Sequence, residues 1–456
     1  MLLGGALHQK PAQAGRDAVR RGEATPEGLR DEAQTAHQDT GGPGRAGLLE
    51  QVLARANLVK AWKRVKANGG SAGVDGKSIT ETAQDLKTQW PRIREALLDG
   101  SYRPEPVRRV QIPKPEGGLR ELGIPAVRDR LIQQALLQVL QPMIDPSFSE
   151  HSYGFRPGRR ARDAVLKAQQ HVQAGYRVVV DVDLEKFFDR VNHDILMERL
   201  SRWIADKAVL RLVRRYLEAG IMDGGVVSER YEGTPQGGPL SPLLANVVLD
   251  EVDRALERRG HRFVRYADDC NVYVRSLSAG VRVLEGLRKL YGRLHLKVNE
   301  AKTAVARATG RKFLGYALWQ GRDGQIKCAV AGKAMKTFKQ RIRELTRRTC
   351  GRSLSEVAER LRTYMPGWKA YFQLAQTPRV FRELDEWIRH RLRALQLKHW
   401  RRGPTIYRKL RALGASEADA TKVAANSCRW WRNSYHRLNR AMPIAYFDRL
   451  GVPRLC

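Results

Sequence analysis

Tyr266-Ala267-Asp268-Asp269 lies between two short strand-forming runs, Phe263-Val264-Arg265-Tyr266 and Asn271-Val272-Tyr273-Val274. The pattern predicts a hairpin with Ala267–Cys270 at the connection. Upstream, Val178-Val179-Val180-Asp181-Val182-Asp183 is β-branched and predicts another strand, ending at Asp183. Two adjacent carboxylates at a hairpin tip repel each other. A divalent cation relieves that repulsion, and Mg²⁺ takes hard oxygen ligands while leaving room for water and phosphate oxygens. Asp183 on a neighbouring strand would supply the opposing carboxylate. Taken alone, the Asp-Asp pair also reads as a solvated turn, and Asp183 as the end of a strand.

The composition narrows the field. The chain has 456 residues, 42% hydrophobic, with 83 Lys plus Arg against 48 Asp plus Glu, a net charge of +35. That is enough apolar material for a sizeable core, in about two to four domains. So large a charge repels itself in the compact state, and nucleic acid is the leading polyanion to neutralise it. With no run of about 18 apolar residues, and a start, Met1–Leu7, too short and uncharged for a signal peptide, no membrane association is expected. The closest two of the five cysteines, Cys328 and Cys350, are 22 apart, which excludes a CxxC zinc pair. An odd, sparse count fits reduced thiols in a cytoplasm.

Residues 1–48 carry six basic and six acidic residues and no useful period, and predict a disordered leader. From Leu49, Val52, Leu53, Ala56, Val59, Trp62 and Val65 fall at helical spacing until Asn68–Gly73 breaks the pattern. A helix is expected after Asp194, its possible N-cap. Residues 331–456 are Arg-rich, Trp-rich and helical in pattern, with 29 basic and 9 acidic residues. Over half of the excess charge therefore lies in this last quarter or so.

The order of the remaining motifs changes the reading of the carboxylates. Tyr266-Ala267-Asp268-Asp269 resembles the YADD box of reverse transcriptases, and Asp183-Leu184-Glu185-Lys186-Phe187-Phe188-Asp189 the box with the first catalytic aspartate. Gly233-Thr234-Pro235-Gln236-Gly237-Gly238-Pro239-Leu240-Ser241-Pro242 is similar to the GxPQGxxxSP box. Lys114-Pro115 through Arg120–Pro125 resembles a fingers segment, and Tyr153–Arg159 matches the YGFRPGRS pattern. Leu296–Thr303 and Phe313–Tyr316 resemble later palm boxes, Gly367–Phe372 a maturase thumb, and Trp430–Leu455 the ending of bacterial group II intron proteins. Glu121 and Arg160 depart from the family pattern at the fingers.

The resemblance, covering about residues 50–456, implies an α+β right-hand polymerase. Fingers and palm would span 49–325, a helical thumb 326–395, and a basic helical DNA- and RNA-binding domain 396–456. It implies a cytoplasmic bacterial reverse transcriptase and maturase that binds group II intron RNA, assists splicing, and copies the intron into target DNA. Two Mg²⁺ would be held by Asp183, Asp268 and Asp269 with the Leu184 carbonyl, and would act on a primer 3′-hydroxyl and the leaving pyrophosphate. Lys114, Arg120, Phe188, Gln236 and Lys302 would bind the incoming dNTP, Phe188 by excluding a 2′-hydroxyl. Arg156, Arg159, Arg401, Arg402, Trp430 and Arg432 would contact RNA, while Trp368 and Trp387 would pack in the core. Without the HNH module of many relatives, no endonuclease activity is expected, and a primer would come from elsewhere, such as the host replication machinery. A non-catalytic splicing cofactor, or a reverse transcriptase recruited to defence (retron or CRISPR-linked), is the alternative.

Overall fold

The structure, a computed structural model, describes residues 47–113, 118–223, 225–349, 351–435 and 438–456. The expected leader and Lys114 therefore lie outside the described residues, apart from Gly47 and Leu48. Helix begins at Leu48, and the expected 52–65 helix is two pieces, Leu48–Leu53 and Arg55–Asn68, parted by an extended Ala54 with ψ 136°. Gly69 then ends the second piece at φ 65°, a conformation that costs glycine little.

The strands among the described residues make three sheets. β1 (Val107–Pro113), β2 (Leu119–Ile124), β4 (Ile221–Asp223) and β5 (Val226–Ser228) form one, in the order β2-β1-β4-β5. The central sheet, in the order β6-β7-β3-β8, contains β3 (Val178–Val182), β6 (Arg262–Tyr266), β7 (Asp269–Val274) and β8 (Ala304–Arg307), all pairing antiparallel. The third contains β9 (Lys312–Phe313), β10 (Tyr316–Gln320) and β11 (Ile326–Val330).

Strand alternation decides which central side chains are buried and which are left for chemistry. Val180 pairs with Val272 and Val182 with Cys270, and all four join a core shared with the helices Ser241–Arg258 and Leu277–Arg293. Each such fully buried aliphatic side chain contributes roughly 1.5–3 kcal/mol. On the opposite face, Val179 pairs with Tyr273 beneath Ala164, Val165 and Ala168 of the helix Ala161–Gln173. Further along that face the register reads Asp181 opposite Asn271. Just beyond the last pair, Val182 with Cys270, come Asp183 and Asp269, and Asp183 acts electrostatically on Asp269. Alternation thus delivers three carboxylates to one end of a face whose other end is apolar.

Residues from 338 onward have their own core. Phe338, Leu361, Ile388, Leu392, Ile406, Leu410, Phe447 and Leu455 all belong to it. Two expected domain limits fall inside continuous structure. Residue 325 lies between the paired strands β10 and β11, and residue 395 lies within the helix Pro378–Trp400. The helix after Val191 runs His193–Leu200, and its N-cap is Asn192, whose side chain accepts from the Ile195 N–H at 3.0 Å. Asp194 is instead exposed and paired with Arg214. Among the described residues no helix is long and apolar enough to cross a membrane. Cys270 and Cys328 are buried free thiols, while Cys428 and Cys456 are free and exposed.

Candidate active site

The β6–β7 hairpin closes through a two-residue turn, since Tyr266 pairs with Asp269 and leaves Ala267 and Asp268 to bridge them. The connection is tighter than the four residues expected. Ala267 takes φ 58°, a left-handed conformation that costs a residue with a Cβ and needs support from its surroundings. That support is visible. The Arg265 side chain is fully buried beneath the turn, and its Nη1 donates to the Ala267 carbonyl at 2.9 Å. Its Nη2 and Nε donate to Asp253, at 2.6 Å and 2.8 Å, and its Nη1 also donates to Asn246 at 2.9 Å. Asp253 and Asn246 belong to the helix Ser241–Arg258, so the turn is fastened to that helix.

The 151–155 segment lies alongside. Tyr153 N–H donates to the Arg265 carbonyl and Arg265 N–H to the His151 carbonyl, both at 2.9 Å. A Cβ on Gly154 would overlap the Ala267 backbone nitrogen and stand 2.8 Å from the Tyr266 carbonyl carbon. Only glycine allows this approach.

Negative charge accumulates at the turn. Burial pushes the Asp269 carboxyl up to about 8, with Asp181, Asp268 and Asp183 adding repulsion. Asp268 is also raised, by burial first and then by Asp183, while Arg120 acts in the opposite direction. Asp181 is raised by burial, although Arg311 offsets this with hydrogen bonds of 2.6 Å and 2.9 Å to its Oδ2. Lys302 Nζ stands 3.5 Å from Asp183 Oδ1. Among the described residues no three His, Cys, Asp or Glu side chains form a ready-made metal cage. The donors are all hard carboxylate oxygens, and a cation would favour the ionised forms that burial and mutual repulsion oppose. They fit a hard divalent cation that completes its shell with water and phosphate oxygens.

The expected nucleotide residues are placed as follows. Arg120 is exposed on β2, paired across the hairpin with Ile112 of β1. Its influence on Asp268 puts that hairpin within electrostatic reach of the turn. Gln236 is half-buried, and its carbonyl accepts from Gly123 N–H of β2 at 3.0 Å. The next residue, Gly237, has φ 137°, and a Cβ there would stand 2.6 Å from the Gly123 carbonyl oxygen. Phe188 is half-buried against the core with its ring centroid 5.2 Å from that of Phe187, which is 3% exposed. Phe188 carbonyl accepts from Thr234 N–H at 2.7 Å, joining the two motifs. At Leu184, the bonds from Glu185 N–H to Lys297 and from Asn299 N–H to Asp183 flank a bridge to Val298. This pattern leaves the Leu184 carbonyl aimed away from Val298, toward the β7 side.

The expected RNA residues divide. Arg156 is buried, and its guanidinium is spent on Asp145 and on the carbonyls of Ser149 and Ser152. The expectation that it contacts RNA is therefore corrected, because no face of it is left for a phosphate. Arg159 is half-buried, donates to the Glu150 carbonyl at 2.5 Å and lies 5.5 Å over the Tyr153 ring. Arg401, Arg402 and Arg432 are exposed. Trp430 packs partly on the second core with Arg348 and Lys398 5.7 Å and 5.4 Å from its ring. Trp368 and Trp387 pack on that core as expected, but Lys339, Arg343 and Arg391 also surround the Trp387 ring.

Three residues escaped the sequence reading. Asp181 was visible in the period-2 rule, which puts it on the face of Asp183. Arg265 and Asp253 carried no local signal, because their pairing is set only when strand and helix pack.

Comparisons with known proteins show what the chain is similar to. Residues 112–318 match the family model described as reverse transcriptase (RNA-dependent DNA polymerase), and residues 335–414 match the group II intron maturase-specific domain. Protein YkfC of Escherichia coli K12 is 34% identical over 291 residues, spanning 55% of this chain and 76% of that protein. The group II intron-encoded protein LtrA of Lactococcus lactis is 29% identical over 345 residues, 60% of this chain and 57% of LtrA. A putative COX1/OXI3 intron 1 protein of Saccharomyces cerevisiae is 28% identical over 57% of this chain and 38% of its own length. The chain thus spans little more than half of LtrA and less of the yeast protein. The family uses divalent metal ions. With a polymerase match followed by a maturase match, and relatives that include group II intron-encoded proteins, this chain belongs to the group II intron reverse transcriptase–maturase family.

Proposed function

We propose that the chain extends a DNA primer on an RNA template, with Asp183, Asp268 and Asp269 as the metal-binding carboxylates, and that it binds group II intron RNA to assist splicing and copy the intron into target DNA. The observation that carries the catalytic half is the convergence of Asp181, Asp183, Asp268 and Asp269 at one end of the central sheet, with Asp269 pushed up to about 8. Magnesium bound there supplies Lewis-acid stabilisation of the primer 3′-hydroxyl and of the leaving pyrophosphate.

The chain's own residues do the rest. Arg265 and Asp253 hold the turn so that Asp268 and Asp269 keep their aim. Arg120 reaches over from the β1–β2 hairpin as a fork for phosphate oxygens. Lys302 neutralises Asp183 until a cation and substrate arrive. Phe188 stands behind Asp183 as a wall against a 2′-hydroxyl. The exposed arginines after residue 400, with Trp430, serve RNA. Priming from the host replication machinery belongs to the same reading.

The test is primer extension on an RNA template with Mg²⁺, comparing the chain with Asp268→Asn. The chain extends the primer and the variant falls to background while binding RNA equally. Undiminished extension by the variant refutes the assignment.

A further inference from the structure

The far end of the β6–β7 hairpin carries a feature that polymerisation does not use. Arg262 begins β6, and Arg275 follows β7. Around them lies a depression of about 390 Å³ lined also by Arg259, Arg282, His261 and Tyr176. Its lining includes four arginines and no carboxylate, and none of the four is in an ion pair among the described residues. All four are exposed. The Arg275 guanidinium lies 5.1 Å from the Tyr176 ring centroid. The guanidiniums of Arg262 and Arg275 also hold the Tyr176 hydroxyl below its usual value, so both converge on one ring. The helix Leu277–Arg293 starts here, capped by Ser276, and adds the positive end of its dipole.

Four like charges gathered in one concavity repel unless an anion joins them. Guanidinium forks match the paired oxygens of a phosphate, and Lys-rich or mixed-charge surfaces do not offer that geometry. The Tyr176 ring face is already covered by Arg275, which leaves the depression suited to phosphate rather than to a stacked base. The five residue-to-residue steps from Arg262 to Ala267 put it roughly 17 Å from the catalytic turn at about 3.4 Å per residue. That is too far to touch the reacting nucleotide. It also lies outside the basic region after residue 331.

We propose that this depression is a second phosphate-binding site, which grips the sugar–phosphate backbone of an RNA segment outside the primer–template duplex, without reading its bases. The site binds RNA whether or not the carboxylates act as proposed above.

The experiment uses the full chain and the triple variant Arg259→Gln, Arg275→Gln, Arg282→Gln, with a matching triple Lys variant. Binding of a fluorescein-labelled structured RNA is titrated across salt concentrations, and inorganic tripolyphosphate binding is measured in parallel. The Gln variant should bind RNA about 10-fold more weakly, with the log–log salt slope shallower by about 2. The Lys variant should recover most of the slope, and extension of a preformed primer–template should be unchanged in both. An unchanged RNA affinity and slope in the Gln variant overturns the proposal. So does a loss confined to tripolyphosphate, which would make the depression a site for small phosphates.

Discussion

Arg265 holds both carboxylate oxygens of Asp253, and each side chain is wholly buried. The same guanidinium holds the carbonyl of Ala267, one residue before Asp268. A charge pair sealed in the core and bonded to the active-site turn makes fold and chemistry hard to separate there.

Removing one partner leaves the other as an uncompensated buried charge. Arg265→Met or Asp253→Leu alone should therefore destabilise by about 3–5 kcal/mol. The double replacement should cost less than the sum of the two, read by urea denaturation. It should still lose polymerase activity, because nothing then holds the Ala267 carbonyl. A fully active double variant would show that the turn holds itself.

Phe188→Val should raise ribonucleotide incorporation relative to deoxyribonucleotide, because it removes the ring proposed above as the wall against a 2′-hydroxyl. Single-nucleotide kinetics measure this. An unchanged ratio would leave Phe188 as a core aromatic paired with Phe187.

Binding and polymerisation should separate on substitution. Asp268→Asn with Asp269→Asn should stop cDNA synthesis yet leave intron splicing assisted, since RNA grip lies in other residues. Removing 403–456 is a poor reciprocal test. Ile406, Leu410, Phe447 and Leu455 are part of the second core, so their loss should unfold the region from 338 onward. Arg401→Gln with Arg402→Gln and Arg432→Gln changes only exposed charges. It should weaken intron RNA binding and splicing while sparing extension of a short primed template, as a paired splicing and cDNA assay would show.

Stability should depend on pH through Asp129. Its buried carboxyl is pushed up to about 6, although it accepts hydrogen bonds from Tyr102 at 2.7 Å and Tyr216 at 3.1 Å. The folded protein thus holds this proton more tightly than the unfolded chain, whose value is near 3.8. Its contribution is favourable at low pH and is lost as pH rises through about 6. Asp129→Asn keeps an acceptor for both tyrosines and removes the titration. Denaturation at pH 4 and pH 7 should show a smaller loss of stability between the two in the variant than in the parent.

Much of the site was legible because its signals are local. The β-branched run predicted β3, and the alternating residues around Asp268 predicted the hairpin. What was not legible depends on packing. The resemblance implied an RNA contact for Arg156, and only the fold shows its guanidinium folded back on Asp145. The domain limits came from the family resemblance, whereas the helix Pro378–Trp400 runs through one of them because its apolar face continues through Leu392, Leu395 and Leu397. The arginines of the distal depression come from 259–282 and gain meaning only when sheet and helix close around Tyr176.

The Gly154 contact has a consequence for the gene. A single-base change in a glycine codon yields another glycine, a stop, or a residue with a Cβ, and any such Cβ at 154 collides with the backbone of Ala267. Every missense step from that codon therefore strikes the β6–β7 turn directly. Neutral drift at this position is confined to silent substitutions, so its third base can wander while the amino acid stays fixed.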